Sequence, residues 1–256
     1  MSATTESFRP LESLPLRLLW PIANAIQLGF TLVWTAAGIS VAMLVRAITR
    51  DTRLPLRMAS SLWAPGLLAG AGARLDVRGV ENVDWSKPCV LVATHESVID
   101  ICALFRAVPV PLRFMLKQEM TRMPMVGWYA KSMGMCFIER DGNRASMVRS
   151  LRAAGAIVQA GQVLCIFPEG TRNSDGRVGE FKPGAFQVAL GAGVPVVPVA
   201  MSGAGAILPP YSFRVRPGTI RLRIGRPIIP TGSGAEARDR IAAEARQAVV
   251  DLLAHD

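Results

Sequence analysis

The sequence has few of the residues that bind metals or form disulfide frameworks. Its 256 residues include four cysteines and two histidines, and no two cysteines form a Cys-x-x-Cys pair. A structural zinc site is therefore not expected, and neither is a disulfide-stabilised fold. The cysteines are isolated, which agrees with small buried side chains in a reducing compartment: Cys89, Cys102, Cys136 and Cys165.

Three common catalytic signatures are also absent. The chain has no Gly-x-x-x-x-Gly-Lys-Ser/Thr loop and no Gly-x-Gly-x-x-Gly motif after a strand, so nucleotide binding lacks its usual phosphate cradle. It has no Gly-x-Ser-x-Gly motif, which excludes the usual serine hydrolase.

Acidic residues are scarce relative to basic ones. The chain has 29 Lys and Arg against 19 Asp and Glu, which gives a net charge of +10, and half of its residues are apolar. A basic chain favours an anionic partner, either nucleic acid or the surface of an acidic membrane. The apolar composition favours the membrane, and without a reader motif or interleaved aromatic residues no nucleic acid partner is expected.

One long stretch contains no charge. Residues 20–45 are longer than the roughly 20 apolar residues that a membrane-spanning helix needs. Four arginines follow, and by the positive-inside rule they place the remaining chain in the cytoplasm: Arg46, Arg50, Arg53 and Arg57. Residues 54–73 are apolar but broken by prolines and glycines, and they are expected to lie in the interface with Trp63 at headgroup depth.

Residues 1–73 are therefore interpreted as N-terminal membrane-anchoring helices. The alternative is a buried core helix. Whether the helix spans the bilayer or embeds in one leaflet stays open. The predicted location is a membrane, at the cytoplasmic face of the cell membrane.

Strand and helix patterns alternate through residues 74–256, which predicts an α/β domain with a largely parallel or mixed central sheet flanked by helices. Strands are predicted at 74–80, 89–93, 112–116, 135–139, 163–167 and 194–201. Helices are predicted at 98–108, 123–133, 143–160, 184–190 and 235–254. Residues 213–215 and 219–224, separated by Pro217 and Gly218, are predicted to form a hairpin.

A histidine and an aspartate stand at one strand-to-helix turn. His95 follows the strand at 89–93, and Asp100 lies five residues later. On one helix these side chains would diverge, but a loop His95 and a first-turn Asp100 can meet. A carboxylate that binds one imidazole nitrogen leaves the other free to accept a proton from a hydroxyl group. The alternative is a capping histidine and an ordinary first-turn acid.

A second turn follows the strand at 163–167. Residues 167–172 read Phe-Pro-Glu-Gly-Thr-Arg, which places a glycine and the fixed cation of Arg172 at a strand end. Turns at strand ends carry the sites of α/β proteins, and arginine suits bidentate contact with phosphate or carboxylate. The alternative is a solvated loop arginine.

These two blocks, about 70 residues apart, resemble those of the glycerolipid acyltransferases, specifically the 1-acylglycerol-3-phosphate acyltransferases. Further segments at 115–120, 134–140, 181–185 and 194–199 are similar to that family's other blocks, so the resemblance covers about residues 78–201. Three residues depart from the usual pattern beside the motifs: Thr94, Glu96 and Pro183.

The resemblance implies transfer of an acyl group from acyl-carrier protein or acyl-CoA to the sn-2 hydroxyl of lysophosphatidic acid, which makes phosphatidic acid in the bilayer during phospholipid biosynthesis. His95 would be the general base, oriented by Asp100, and amides at the start of the next helix would stabilise the oxyanion. Residues implied to bind the acceptor and its phosphate are Lys117, Arg140, Glu169, Gly170, Thr171 and Arg172. No metal and no cofactor are implied.

Other acceptors remain open, namely glycerol 3-phosphate and lyso-ornithine lipid. A different class, a non-catalytic lipid-binding membrane protein that kept the fold, is the further alternative. The acyl donor, the acyl-chain length and the oligomeric state are left open by the sequence.

Overall fold

In the part of the chain that the structure describes, seven strands form one sheet at the centre of the fold. A computed structural model describes residues 14–139, 144–173 and 177–255. The strands are β1 (Ala73–Arg78), β2 (Val90–Ala93), β3 (Leu112–Lys117), β4 (Cys136–Ile138), β5 (Val163–Ile166), β6 (Val196–Ser202) and β7 (Gly218–Ile224). Their order across the sheet is β1-β7-β6-β2-β5-β3-β4. All neighbouring strands are parallel except β6 and β7, so the predicted α/β fold with a mixed sheet is confirmed.

Helices cover both faces of this sheet. They are α1 (Leu14–Thr49), α2 (Arg53–Met58), α3 (Ala64–Gly70), α4 (Asp100–Ala107), α5 (Val126–Ser132), α6 (Arg144–Gln159), α7 (Gly184–Ala192), α8 (Ala204–Ile207) and α9 (Gly234–Ala254). A π-helical turn, Ala59–Trp63, joins α2 directly to α3. The helices predicted at 143–160 and 235–254 match α6 and α9, whereas α4 and α5 begin two or three residues later than predicted.

The central strands read as continuous apolar runs because both of their faces are buried. Alternate residues of β2, β5 and β6 enter two separate cores. Leu91, Cys165 and Val197 belong to the core under the first four helices, while Val90, Leu164 and Val196 belong to the core under α6, α7 and α9. This burial fixes the register of the strands whose carboxyl ends carry the two sequence motifs.

The hairpin predicted for residues 213–224 is wrong. Residues 213–215 form no strand, and β7 lies between β1 and β6. Val215 N, in the expected first strand, donates to Asn24 Oδ1 at 2.8 Å, and the next amide, Arg216 N, donates to Ile207 O at 2.9 Å. From Gly218 to Arg223, β7 instead pairs with the distant β1.

The N-terminal helices pack closely on one another. Gly66 and Gly70 of α3 face α1, and a Cβ on either would lie 2.4 Å from the ring of Trp34 or Phe30. Glycine permits this close approach, and residues 53–70 are helical throughout. Trp63 packs inward against the edge of Phe105 and donates to Thr35 Oγ1 at 3.2 Å. Its expected place at headgroup depth stays a prediction.

α1 contains the one segment, among the described residues, that is long and apolar enough to cross a membrane. This segment, Trp20–Thr49, has a mean hydropathy of 1.9, and only 6% of its most apolar 18-residue stretch is buried. The following helices differ, because Leu56 and Ala64 are fully buried in the core that β2 and α4 share. The buried Arg113 of β3 also reaches this region, donating to Thr52 Oγ1 at 2.8 Å.

Candidate active site

The turn between β2 and α4 brings His95 onto Asp100. Asp100 is the first residue of α4, and its Oδ2 lies 2.8 Å from His95 Nδ1. The same oxygen accepts the amides of Glu96 at 2.7 Å and Ser97 at 2.8 Å. The carboxylate therefore folds back over its own turn, and this fold-back makes the contact possible at a spacing of five residues.

Burial makes this pair a defined acid–base unit. Asp100 is fully buried and 16% of the His95 side chain is exposed. Because a carboxylate only accepts hydrogen bonds, His95 Nδ1 carries the proton, and Nε2 is left to accept one from a hydroxyl group. Three donors on Oδ2 stabilise the charge that burial would otherwise disfavour. Asp100 Oδ1 has no hydrogen-bond partner among the described residues.

A column of aromatic rings supports the imidazole. Phe167 stacks on His95 with ring centroids 4.0 Å apart and planes at 16°. Phe114 stacks behind Phe167 at 6.2 Å, and Phe105 meets Phe114 edge-on at 5.1 Å. Because stacked rings restrict rotation, the column holds the imidazole plane in register with Asp100.

Glu169 fastens the second motif to the first. Its Oε1 accepts His95 N at 3.3 Å, and its Oε2 accepts Asn173 Nδ2 at 2.6 Å and Gly179 N at 2.8 Å. Asn173 N also donates to His95 O at 2.8 Å. Glu169 is buried, so its carboxylate contacts backbone behind the histidine turn.

Sequence reasoning missed two residues of this junction, Asn173 and Gly179. A Cβ on Gly179 would lie 2.9 Å from Glu169 Oε2, so only glycine lets the backbone come this close. A glycine or an asparagine in a loop gives no sequence signal for a specific distant carboxylate.

Four other predicted binding residues lie at the same edge of the sheet. Gly170 is buried with φ of +74°, Thr171 is exposed, and Arg172 is partly buried, with its Cζ 5.2 Å from the ring centroid of Tyr211. Lys117 ends β3 with an exposed side chain. Arg140 lies outside the described residues.

The unusual residues of the first motif make structural contacts. Thr94 Oγ1 accepts Met201 N at 2.8 Å and donates to Met201 O at 3.2 Å. Glu96 Oε2 accepts Gly205 N at 2.9 Å, and burial raises the pKa of the Glu96 carboxyl. Ser97 Oγ donates to Leu208 O at 2.6 Å. Together these bonds tie the turn to β6 and to the segment that follows it.

Two amides between His95 and α4 are used within the turn, and the expected stabilisation of an oxyanion by amides at the start of the helix stays a prediction. The amides of Glu96 and Ser97, the first two after His95, both donate to Asp100 Oδ2. They are not free to stabilise a negative charge on a substrate, because each N–H makes one strong hydrogen bond.

An apolar cavity lies beside the site. Its volume is about 500 Å³, and it is bounded by α1, the π-helical turn, α4, β3 and α5. Phe114 and Phe105 line it, so the aromatic column runs from the imidazole to the cavity wall. Val98, which follows the histidine turn, also lines it. A cavity of this size and character suits the apolar part of a ligand.

A histidine–aspartate pair, an arginine and an apolar cavity thus meet at the carboxyl edge of a mostly parallel sheet. This set can activate a hydroxyl group on a molecule that is both charged and apolar. The acyltransferase family model matches residues 74–202, which include both motifs. The chain belongs to the acyltransferase family.

Relatives and a solved structure agree with this assignment. The chain is 39% identical to the chloroplastic 1-acyl-sn-glycerol-3-phosphate acyltransferase BAT2 of Brassica napus, over 66% of this chain and 50% of that protein. It is 34% identical to the 1-acyl-sn-glycerol-3-phosphate acyltransferase of Pseudomonas aeruginosa, over 65% of this chain and 64% of that protein. The chain thus spans about half to two thirds of the length of these relatives.

The crystal structure of the 1-acyl-sn-glycerophosphate (LPA) acyltransferase PlsC from Thermotoga maritima has a similar fold. Its TM-score is 0.75 at 26% identity, and the match covers 92% of this chain and 97% of that one.

Proposed function

We propose that this protein transfers an acyl group from a thioester, acyl-carrier protein or acyl-CoA, to the sn-2 hydroxyl of 1-acylglycerol-3-phosphate, giving phosphatidic acid. The observation that carries the proposal is the buried His95–Asp100 contact of 2.8 Å at the end of β2. The names of the relatives supply the substrate. The reaction needs no metal and no cofactor apart from the thioester co-substrate.

His95 acts first as a base and then as an acid. Nε2 removes the hydroxyl proton while the oxygen attacks the thioester carbonyl, and the imidazolium is stabilised by Asp100. The tetrahedral intermediate collapses, the carbon–sulfur bond breaks, and His95 returns the proton to the leaving thiolate. The enzyme is thereby regenerated, and no acyl-enzyme is formed.

The apolar chain and the phosphate of the lipid bind to different parts of the site. An acyl chain occupies the apolar cavity of about 500 Å³, whose lining residues Val98 and Ile99 come from the histidine turn itself. The acceptor's phosphate binds Arg172, with Lys117 and Arg140 as further cations, and Gly170 and Thr171 line the same turn. Glu169 contributes by holding this turn against His95.

The test of the acceptor is a comparison of wild type with Arg172→Ala on lysophosphatidic acid, glycerol 3-phosphate and lyso-ornithine lipid. Wild type is expected to prefer lysophosphatidic acid. Arg172→Ala should have an about tenfold higher KM for lysophosphatidic acid and a smaller change in kcat. The reason is that it loses one charge-assisted contact that is equally strong in the ground state and the transition state. The exposed Arg149 of α6 gives the control variant Arg149→Ala.

Three other results would change the proposed acceptor, the phosphate contact or the assignment as an enzyme. Preference for another acceptor would keep the mechanism and replace the substrate. An unchanged KM in Arg172→Ala would remove the phosphate assignment. Absence of transfer to all three acceptors would favour a lipid-binding protein that lacks catalysis.

The cysteines are not expected to take part. Burial raises the pKa of the Cys89 and Cys102 thiols to about 12 and that of Cys136 to about 11, and it raises the pKa of Cys165. Because the thiolate is the reactive form, iodoacetamide at neutral pH should leave the rate of transfer unchanged. Mass spectrometry checks that the thiols stay unmodified. Inactivation that acyl donor prevents would point instead to an acyl-cysteine intermediate.

We further propose that residues 1–73 hold the enzyme at the cytoplasmic face of the membrane, and that α1 makes the main contact. Its outer face carries Ile26 and Val33, which are 69% and 70% exposed and lie seven residues apart on one side of the helix. The lipid acceptor and product reside in the bilayer, so a bound enzyme need not extract them.

Glutamate at both positions is expected to weaken membrane binding strongly, because a carboxylate is costly in hydrocarbon. Vesicle flotation should show the loss, while activity on a short-chain soluble acceptor should persist. The matched control is Met147→Glu with Val148→Glu on α6, two exposed apolar residues of the soluble part. Equal flotation of both double variants would contradict α1 as the anchor.

A further inference from the structure

Residues 208–217, here called the strap, cross from the histidine turn to α1. At one end Leu208 O accepts Ser97 Oγ at 2.6 Å, and at the other Val215 N donates to Asn24 Oδ1 at 2.8 Å. Pro209, Pro210 and Pro217 stiffen it by fixing their own φ angles. The strap therefore has a defined path beside the candidate active site without being part of the sheet.

Tyr211, in the middle of the strap, has an unusual conformation. Its φ is +60°, which is rare for a bulky residue and costs on the order of 1 kcal/mol or more. Its side chain is not held by core packing, since the residue is 88% exposed. Its ring instead contacts Arg172, whose Cζ lies 5.2 Å from the ring centroid.

This contact constrains the guanidinium. A cation within about 6 Å of an aromatic centroid is attracted to the ring face. A cation–π contact uses the charge of the guanidinium, so its N–H donors remain available for a phosphate. An unsupported arginine on a loop would lose more side-chain entropy when it binds the same phosphate.

We infer that Tyr211 is a positioning residue that holds Arg172 ready for the phosphate of the acceptor and so favours phosphate-bearing acceptors. The inference rests on the proposed function, because it takes Arg172 as the phosphate-binding cation. It assigns a role to a residue outside both sequence motifs. The ring carries this role, and the hydroxyl group is not required.

Two substitutions distinguish the effect of the Tyr211 ring from the effect of its backbone conformation. Tyr211→Phe keeps the ring, whereas Tyr211→Asn removes it and tolerates the positive φ, so the strap should keep its path. Tyr211→Asn is expected to raise the KM for lysophosphatidic acid about two- to fivefold, the size of an exposed cation–π contact. Its kcat and its KM for the acyl donor should stay at the wild-type values. Tyr211→Phe should restore the wild-type acceptor KM.

A double-mutant cycle with Arg172→Ala decides whether Tyr211 acts through the arginine. In the Arg172→Ala background, Tyr211→Asn should have no further effect on the acceptor KM. An equal effect in both backgrounds would overturn the inference, as would reduced vesicle flotation of Tyr211→Asn, which would make the ring a membrane contact.

The two proposals fail in different ways. If Arg172→Ala raises the acceptor KM while Tyr211→Asn does not, the phosphate site stands and the role of Tyr211 is wrong. If Arg172→Ala itself leaves the acceptor KM unchanged, the phosphate assignment fails and the inference is overturned with it.

Discussion

His95→Ala is expected to lower kcat for acyl transfer by about 10²–10⁴-fold, the usual contribution of a positioned general base. The acceptor hydroxyl would keep its proton during attack, and the leaving thiolate would depart unprotonated. Binding should change little, because the imidazole is stacked on Phe167 and joined to Asp100, and the arginine and the cavity remain. The effect should therefore appear in kcat and kcat/KM alike.

The measurement is transfer of labelled acyl groups to lysophosphatidic acid by membranes that contain equal amounts of each variant. His255→Ala is the matched control, since His255 is the only other histidine and lies exposed after α9. It should keep wild-type activity. A His95→Ala enzyme with more than a tenth of wild-type kcat would contradict the assignment of the base.

Asp100→Asn is expected to lower kcat by about 10²-fold while the turn stays folded. The amide oxygen can accept the N–H groups of Glu96 and Ser97 as Oδ2 does. It carries no charge, so the imidazolium that forms during the reaction loses its charge-assisted partner. The amide NH₂ would occupy the place of Oδ1, which has no hydrogen-bond partner among the described residues.

Comparison of Asp100→Ala with Asp100→Asn distinguishes the structural role of the carboxylate from the role of its charge. It leaves two backbone amides and the imidazole without their acceptor, so it should lower the melting temperature as well as kcat. Asp239→Asn on α9 is the control for a carboxylate that forms only an exposed ion pair with Arg238. If Asp100→Asn kept wild-type kcat, the carboxylate would serve only to shape the turn.

Local patterns predicted much of this molecule. The buried strands were found because each apolar run is short and ends at a turn, and the His95–Asp100 contact was predicted because it joins residues within one turn. What the sequence could not show is non-local pairing. β7 lies between β1 and β6 since its alternating residues Ile220 and Leu222 fill the core there.

In the candidate site, too, the local motifs were predicted and the non-local contacts were not. Arg172 and Glu169 were found through their motif, but the direction in which Glu169 points depends on Asn173 and on the close approach of Gly179. The acceptor of the Glu96 and Ser97 amides, Asp100 Oδ2, becomes apparent only from the folded turn. Tyr211 gives no sequence signal, because its contact with Arg172 depends on the path of the strap.

The position of β1 at the edge of the sheet constrains how the chain can fold as it is synthesised. Within the described part of the chain its one neighbouring strand is β7, and about 140 residues separate the two, so this pairing has a high contact order. α1 leaves the ribosome long before β7 exists and can reach a bilayer while the sheet is still incomplete. The turn that holds His95 and Asp100 can form early, but its fastening by Glu169 must wait for the second half of the chain. Under the anchoring by α1 that we propose, membrane contact would precede completion of the candidate active site, and activity would appear last.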